Sequence, residues 1–115
     1  MQFPDEQVQE LKQYCKKLLG LQEGGKPLFL MKSAHMPPGC TPEECDVLFC
    51  PVDRGDGYPS RLYFQKKIAG PFQRNWTGTV RIAEENWEPF SWKVNVSGLS
   101  LAALYCEHIS ALVRA

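Results

Sequence analysis

The sequence predicts an α+β domain, and three observations predict it. Apolar residues recur at three- and four-residue spacing near both ends of the chain, the mark of a helix with one buried face. Short apolar runs of strand length lie between those ends. Glycine and proline clusters separate the runs, so the middle of the chain reads as an antiparallel meander joined by tight turns. At 115 residues the chain is expected to form a single domain, 1–115, around a modest core.

Residues 5–19 read as the first helix. Val8, Leu11, Cys15, Leu18 and Leu19 make one apolar stripe. Asp5 stands where it can cap the first turn after Phe3-Pro4, and Gly20 with Gly24-Gly25 is expected to end the helix. Lys12, Lys16 and Lys17 fall mostly off the stripe and read as a solvated face, or as a surface for an acidic partner. Leu28-Phe29-Leu30-Met31, bounded by Pro27, reads as a strand, and His35-Met36-Pro37-Pro38-Gly39 as a loop. Asp46 to Cys50 is a second strand, and Pro51 to Gly57 a turn. Arg61 to Ile68 is a third strand with Leu62 and Phe64 on one side and Tyr63 and Gln65 on the other; Gly70-Pro71 breaks it.

Thr79 to Ala83 reads as a short strand, and Glu84 to Asn95 as an aromatic-rich loop with a strand-like end. Ser97 or Ser100 caps the last helix, residues 100–113. Its inward face is Leu101, Leu104, Tyr105, His108, Ile109, Leu112 and Val113.

Composition narrows the function classes. Hydrophobic residues at 43% and charged residues at 23% are ordinary for a soluble globular protein. Thirteen basic residues offset thirteen acidic ones without a basic block, so nucleic acid is not an expected partner. No apolar run has membrane-spanning length and no signal peptide opens the chain, so no membrane association and a cytoplasmic location are expected. There is no glycine-rich phosphate loop and no metal-hydrolase motif, and no cofactor is expected. Of the five cysteines, Cys40, Cys45 and Cys50 form C-x4-C-x4-C with His35 upstream. A zinc site is one reading, but structural zinc sites bring ligands in tighter pairs. Small buried residues with reduced thiols are the favoured reading, and no metal is expected.

The segments Gly57-Tyr58-Pro59 with Tyr63-Phe64, and Trp87-x-x-Phe90-Ser91-Trp92 followed by a leucine-rich helix carrying His108, give a more specific signal. The order of helix, antiparallel meander, aromatic loop and helix resembles the ubiquitin-conjugating (E2) fold. The Tyr58-Pro59 turn resembles that family's tyrosine-proline signature at the end of its meander. The aromatic loop and final helix are similar to a bacterial branch, the prokaryotic E2 family E proteins, and the likeness spans nearly the whole chain. It implies an N-terminal helix, an antiparallel β-meander, an active-site loop and a C-terminal helix. It also implies the company of a ubiquitin-like protein, an E1-like adenylating enzyme and a JAB-type peptidase, in antiviral defence. The chain departs from the pattern in three ways. The histidine-proline-asparagine element and the catalytic cysteine are missing; the family motif Trp-Ser-Arg-His reads Phe90-Ser91-Trp92-Lys93; and the fold's further C-terminal helices are not expected.

Ser91 stands where the resemblance places the nucleophile, so an oxyester would replace the usual thioester. A serine hydroxyl needs a general base and its oxyanion needs donors. Asn75 and Asn86 are the candidate donors, both otherwise ordinary turn residues. His108 is the candidate base, with a satisfied core histidine as the plainer reading; His35, Glu84, Glu85 and Glu88 are further bases or simple surface groups. Ser97 is a rival nucleophile better explained as a helix cap. Trp76, Trp87 and Trp92 read as core or loop anchors, and Phe90 and Trp92 would face one way and Ser91 the other. Two function classes follow: an E2-like transferase acting through Ser91, and a non-catalytic E2-like scaffold that binds the ubiquitin-like protein or its E1. A small α+β binding protein with only an architectural likeness is the third.

Overall fold

The structure is a computed structural model and describes residues 3–55, 57–72, 75–95 and 97–113. Helix α1 (Asp5–Leu11) runs through a 3-10 turn (Lys12–Tyr14) into six strands: β1 (Lys17–Glu23), β2 (Lys26–His35), β3 (Glu44–Cys50), β4 (Arg61–Phe64), β5 (Val80–Ile82) and β6 (Glu85–Pro89). Helix α2 (Leu101–Ser110) closes the fold with a 3-10 turn, Ala111–Val113. The strands form one sheet in the order β1-β2-β3-β4-β6-β5, antiparallel throughout. The domain is therefore α+β, with a four-strand meander in sequence order and a β5–β6 hairpin added beside β4.

Both faces are buried along the centre of this sheet, and strand alternation divides the core in two. Met31, Val47, Phe49, Leu62 and Phe64 point to the side covered by Leu11, Leu104, Tyr105 and Leu112. Leu28, Leu48, Cys50 and Tyr63 point to the other side, where they meet Ile82 and Trp87 of the hairpin. The hairpin can fold across that face because its tip is fastened to the β1–β2 turn. Ala83 N donates to Glu23 Oε1 at 2.8 Å, and Arg54 Nη2 lies 3.4 Å from Glu23 Oε2. Double burial explains why Leu62-Tyr63-Phe64 carries no polar position: neither side of β4 sees water.

The sequence expectation fails at four places. Residues 12–19 are not α-helix: Lys12–Tyr14 is a 3-10 turn and Lys17 begins a strand. Gly24 and Gly25, at φ 59° and 78°, form a turn that folds 17–23 back onto 26–32 residue for residue. Seven paired residues outweigh a helical stripe, and Leu18 reaches the same core from an extended backbone. Pro4, with no side-chain hydrogen bond, occupies the N-cap position given to Asp5. The third strand stops at Phe64 instead of Ile68, because β3, its partner, has its last registered pair there at Val47↔Phe64. The segment from Glu84 is not a loop at its start: Glu85–Pro89 is a strand, registered on β4 through Tyr63↔Pro89 and Phe64↔Glu88. The final helix is capped by Ser100, whose Oγ accepts from Ala103 N at 3.2 Å, and Leu101 N is tied to Gln7 Oε1 at 3.0 Å. Among the described residues no helix is long and apolar enough to cross a membrane.

Phe49 joins the sheet to α2: its ring lies 5.9 Å from Tyr105 and 6.3 Å from His108, edge-on in both cases. Phe49→Ala is expected to cost about 3–5 kcal/mol in urea unfolding followed by circular dichroism. A cost below about 1 kcal/mol would contradict this packing.

Candidate functional site

The chain does not turn away at the end of β6. It runs on through Phe90-Ser91, and a second segment, residues 75–77, lies beside it. Ser91 N donates to Asn75 O at 2.9 Å, Thr77 N donates to Pro89 O at 3.0 Å, and Trp76 and Phe90 oppose each other between these bonds. Alternation sends Trp76 and Phe90 to one side and Asn75, Thr77 and Ser91 to the other. The inward side is an aromatic cluster: Trp76 and Phe90 are 5.0 Å apart, and Phe64 lies 5.6 Å from Trp76 and 5.8 Å from Phe90. Each such pair contributes about 0.5–1.5 kcal/mol beyond its area. The outward side holds Asn75 Nδ2 at 3.5 Å from the half-buried Ser91 Oγ, a long hydrogen bond.

Cations border this surface. Arg61 is 8% exposed, and its guanidinium carbon lies 3.8 Å from the Tyr58 ring centroid. Its Nη2 donates to Thr77 Oγ1 at 3.1 Å, which ties the Tyr58-Pro59 turn to the 75–77 segment. Lys93 Nζ approaches the same Tyr58 ring at 5.5 Å. A carboxamide has two N–H donors, so Asn75 can hold Ser91 Oγ with one and present the other to an acyl oxygen beside it.

His108 lies elsewhere. It is 2% exposed, and its Nε2 shares a 2.7 Å hydrogen bond with Oγ of the fully buried Ser60. Burial pushes its pKa down to about 4, with Glu107 opposing and Arg61 reinforcing the shift, so the imidazole is neutral at pH 7. It joins the β3–β4 connection to α2, and among the described residues the hydrogen-bonding side chain at Ser91 Oγ is Asn75. Asn86 is also apart: its Oδ1 accepts from Arg81 Nη1 at 3.3 Å across the β5–β6 hairpin. Five residues separate it from Ser91 along extended chain, roughly 16 Å. His35 is exposed with Nδ1 3.5 Å from Glu44 Oε2; Glu88 accepts from the Thr79 hydroxyl at 2.9 Å; and Ser97 sits in a turn, its N–H on Asn95 Oδ1 at 3.0 Å.

The cysteines do not gather. Cys40 and Cys45 belong to the helix-side core and Cys50 to the opposite one. Among the described residues no group of three His, Cys, Asp or Glu side chains is arranged for a metal ion. Burial pushes the Cys15, Cys40 and Cys45 thiols up, away from the reactive thiolate.

Sequence reasoning missed Ser60, Arg61 and Thr77. One signal was available: a histidine on an apolar helix face must find a buried hydrogen-bonding partner, and Ser60 stands two residues before the run Leu62-Tyr63-Phe64.

The Ser60–His108 pair makes stability depend on pH. The folded pKa of about 4 lies below the ordinary histidine value of 6.5, so the unfolded chain binds the proton first as pH falls. Stability is full above about pH 6.5, declines as pH falls toward 4 and levels off below it, by up to about 3 kcal/mol. In His108→Gln that contribution should vanish from the pH profile of the unfolding free energy. An unchanged slope between pH 6.5 and 4 would contradict a buried neutral His108.

The chain matches no family model, no curated protein and no solved structure.

Proposed function

We propose that this protein is an E2-like acyl carrier in a bacterial ubiquitin-like conjugation pathway, with Ser91 as nucleophile and Asn75 as oxyanion donor. The supporting observation is the 3.5 Å approach of Asn75 Nδ2 to Ser91 Oγ, two residues sixteen positions apart that a backbone hydrogen bond and an aromatic cluster hold together. The element order of helix, four-strand meander and final helix also supports the E2-like reading, with the β5–β6 hairpin as an addition between meander and helix. Ser91 Oγ would attack the carbonyl carbon of the ubiquitin-like protein's C-terminus, held as a thioester on the E1-like partner. The new C–O bond forms as the C–S bond breaks, the E1 thiolate leaves, and the hydroxyl proton passes to water or to a base on the partner. An acceptor amine then attacks the ester carbonyl, and Ser91 leaves as the hydroxyl. A JAB-type peptidase would reverse the modification, and antiviral defence is the biological setting in keeping with this company.

A second reading is a non-catalytic scaffold that orients the ubiquitin-like protein or its E1. The sequestration of His108 with Ser60 favours it, because Ser91 then lacks an imidazole base within the chain.

Intact-mass analysis of the protein with its E1-like and ubiquitin-like partners and ATP separates the two. The expected adduct survives thiol reductant, is cleaved by mild base and is absent in Ser91→Ala; Asn75→Ala should slow its formation by roughly a hundredfold or more. A stable complex without an adduct supports the scaffold. A reductant-sensitive adduct assigns the chemistry to a cysteine and overturns the role of Ser91.

A further inference from the structure

We propose that the protein forms a homodimer by antiparallel pairing of β1 with β1 of a second copy, centred on Gly20. This interface is separate from the Ser91 surface and does not rest on the function proposed for it. Strand β1 is bonded to β2 alone and forms one edge of the sheet, seven residues long, whereas the other edge, β5, has three. An unprotected edge of that length is a template for another strand.

The sequence of β1 selects the partner and the register. In Lys17-Leu18-Leu19-Gly20-Leu21-Gln22-Glu23, antiparallel self-pairing about Gly20 sets Lys17 against Glu23 of the second copy at both ends. It also sets Leu19 against Leu21 twice and Gly20 against Gly20. In-register parallel pairing would instead oppose Lys17 to Lys17 and Glu23 to Glu23, which like charges disfavour. Among the described residues Lys12 and Lys17 have no ionic partner, while Lys16 is taken by Glu44 at 3.4 Å and Lys32 by Asp46 at 3.2 Å. Glu23 is held at the edge by its bonds to Ala83 N and Arg54, with 39% of its side chain exposed. Leu19 is 37% exposed, one of three large apolar side chains left open among the described residues, and the register covers it with Leu21.

Gly20 gives an independent reason. Its φ is not in the left-handed region, and a Cβ added there would meet nothing within 4 Å, so the protomer's own fold does not require glycine. Glycine weakens a strand interior and often marks the close approach of another backbone. A cavity of about 380 Å³ lies over it, walled by Phe3, Val8 and Phe29. In the dimer the two cavities face each other across the twofold axis. A single seven-residue strand pair is a small interface, so the association is weak and concentration-dependent.

The register is directly testable. Residues opposed in an antiparallel pair have Cα atoms about 4.5–5.5 Å apart, within disulfide range. Under copper-phenanthroline and air, Gly20→Cys should give a covalent dimer on non-reducing gels. Gln22→Cys, which would face Leu18 and not itself, should not exceed wild type. In sedimentation velocity, wild type should move from monomer toward dimer as concentration rises. Lys17→Glu should remain monomeric at every concentration with undiminished thermal stability, because Lys17 faces Lys32 within the protomer. A wild type that stays monomeric throughout, or cross-linking through position 22 as efficient as through position 20, overturns the proposal.

Discussion

The site depends on the contact among Phe64, Trp76 and Phe90. Phe64 is fully buried on β4, fixed by the sheet on one side and the helices on the other. Trp76 belongs to a segment with no named strand of its own, and Phe90 follows the last residue of β6. Their packing against Phe64, edge-on for Trp76 and tilted for Phe90, prolongs the sheet past its regular end by one rung. That rung carries the bonds Ser91 N to Asn75 O and Thr77 N to Pro89 O. The outward side chains of a strand pair can be only as well placed as its inward ones are anchored. The approach of Asn75 to Ser91 is thus a consequence of aromatic packing on the far face.

A second constraint comes from burying both faces of the meander. Leu62 and Phe64 serve the helix-side core and Tyr63 the hairpin side, so a one-residue shift of β4 would send each into the opposite core, which is packed around a different side chain. The connection leading into β4 must then enter the interior, and Ser60 goes in with it. His108 on α2 satisfies that hydroxyl, and Phe49 packs edge-on against the imidazole. Arg61, the next residue, is also largely buried; it stacks on Tyr58 and reaches Thr77. One turn of chain thereby fastens the final helix and borders the Ser91 surface. His108 acts in the first task and is unavailable to the second.

Much of this was legible from residue spacing. Alternation assigned Leu62, Phe64 and Tyr63 to opposite sides, and the apolar face of α2 with its serine cap was readable in the same way. The α+β class followed from these. The misreadings share a cause: a short apolar run does not declare its partner. Leu18 and Leu19 continued a helical stripe, yet the Gly24-Gly25 turn paired them with β2. Glu85–Pro89 looked irregular because Pro89 ends it and Trp87 and Phe90 break simple alternation, but β4 offered a free edge. At the site, the sequence offered both Asn75 and Asn86 as donors, and only the fold separates them. Sequence distance is a poor guide in an antiparallel pair: residues sixteen apart are neighbours, and residues five apart on one strand are not.

Amide hydrogen exchange followed by NMR at Ser91 and Thr77, in wild type and in Trp76→Ala, tests most directly whether the aromatic cluster holds Ser91 beside Asn75. Both amides should be protected in wild type and lose protection together in the variant, while amides in the β3–β4 ladder keep theirs. Rapid exchange at Ser91 in wild type, or protection unchanged by removing Trp76, would contradict the account.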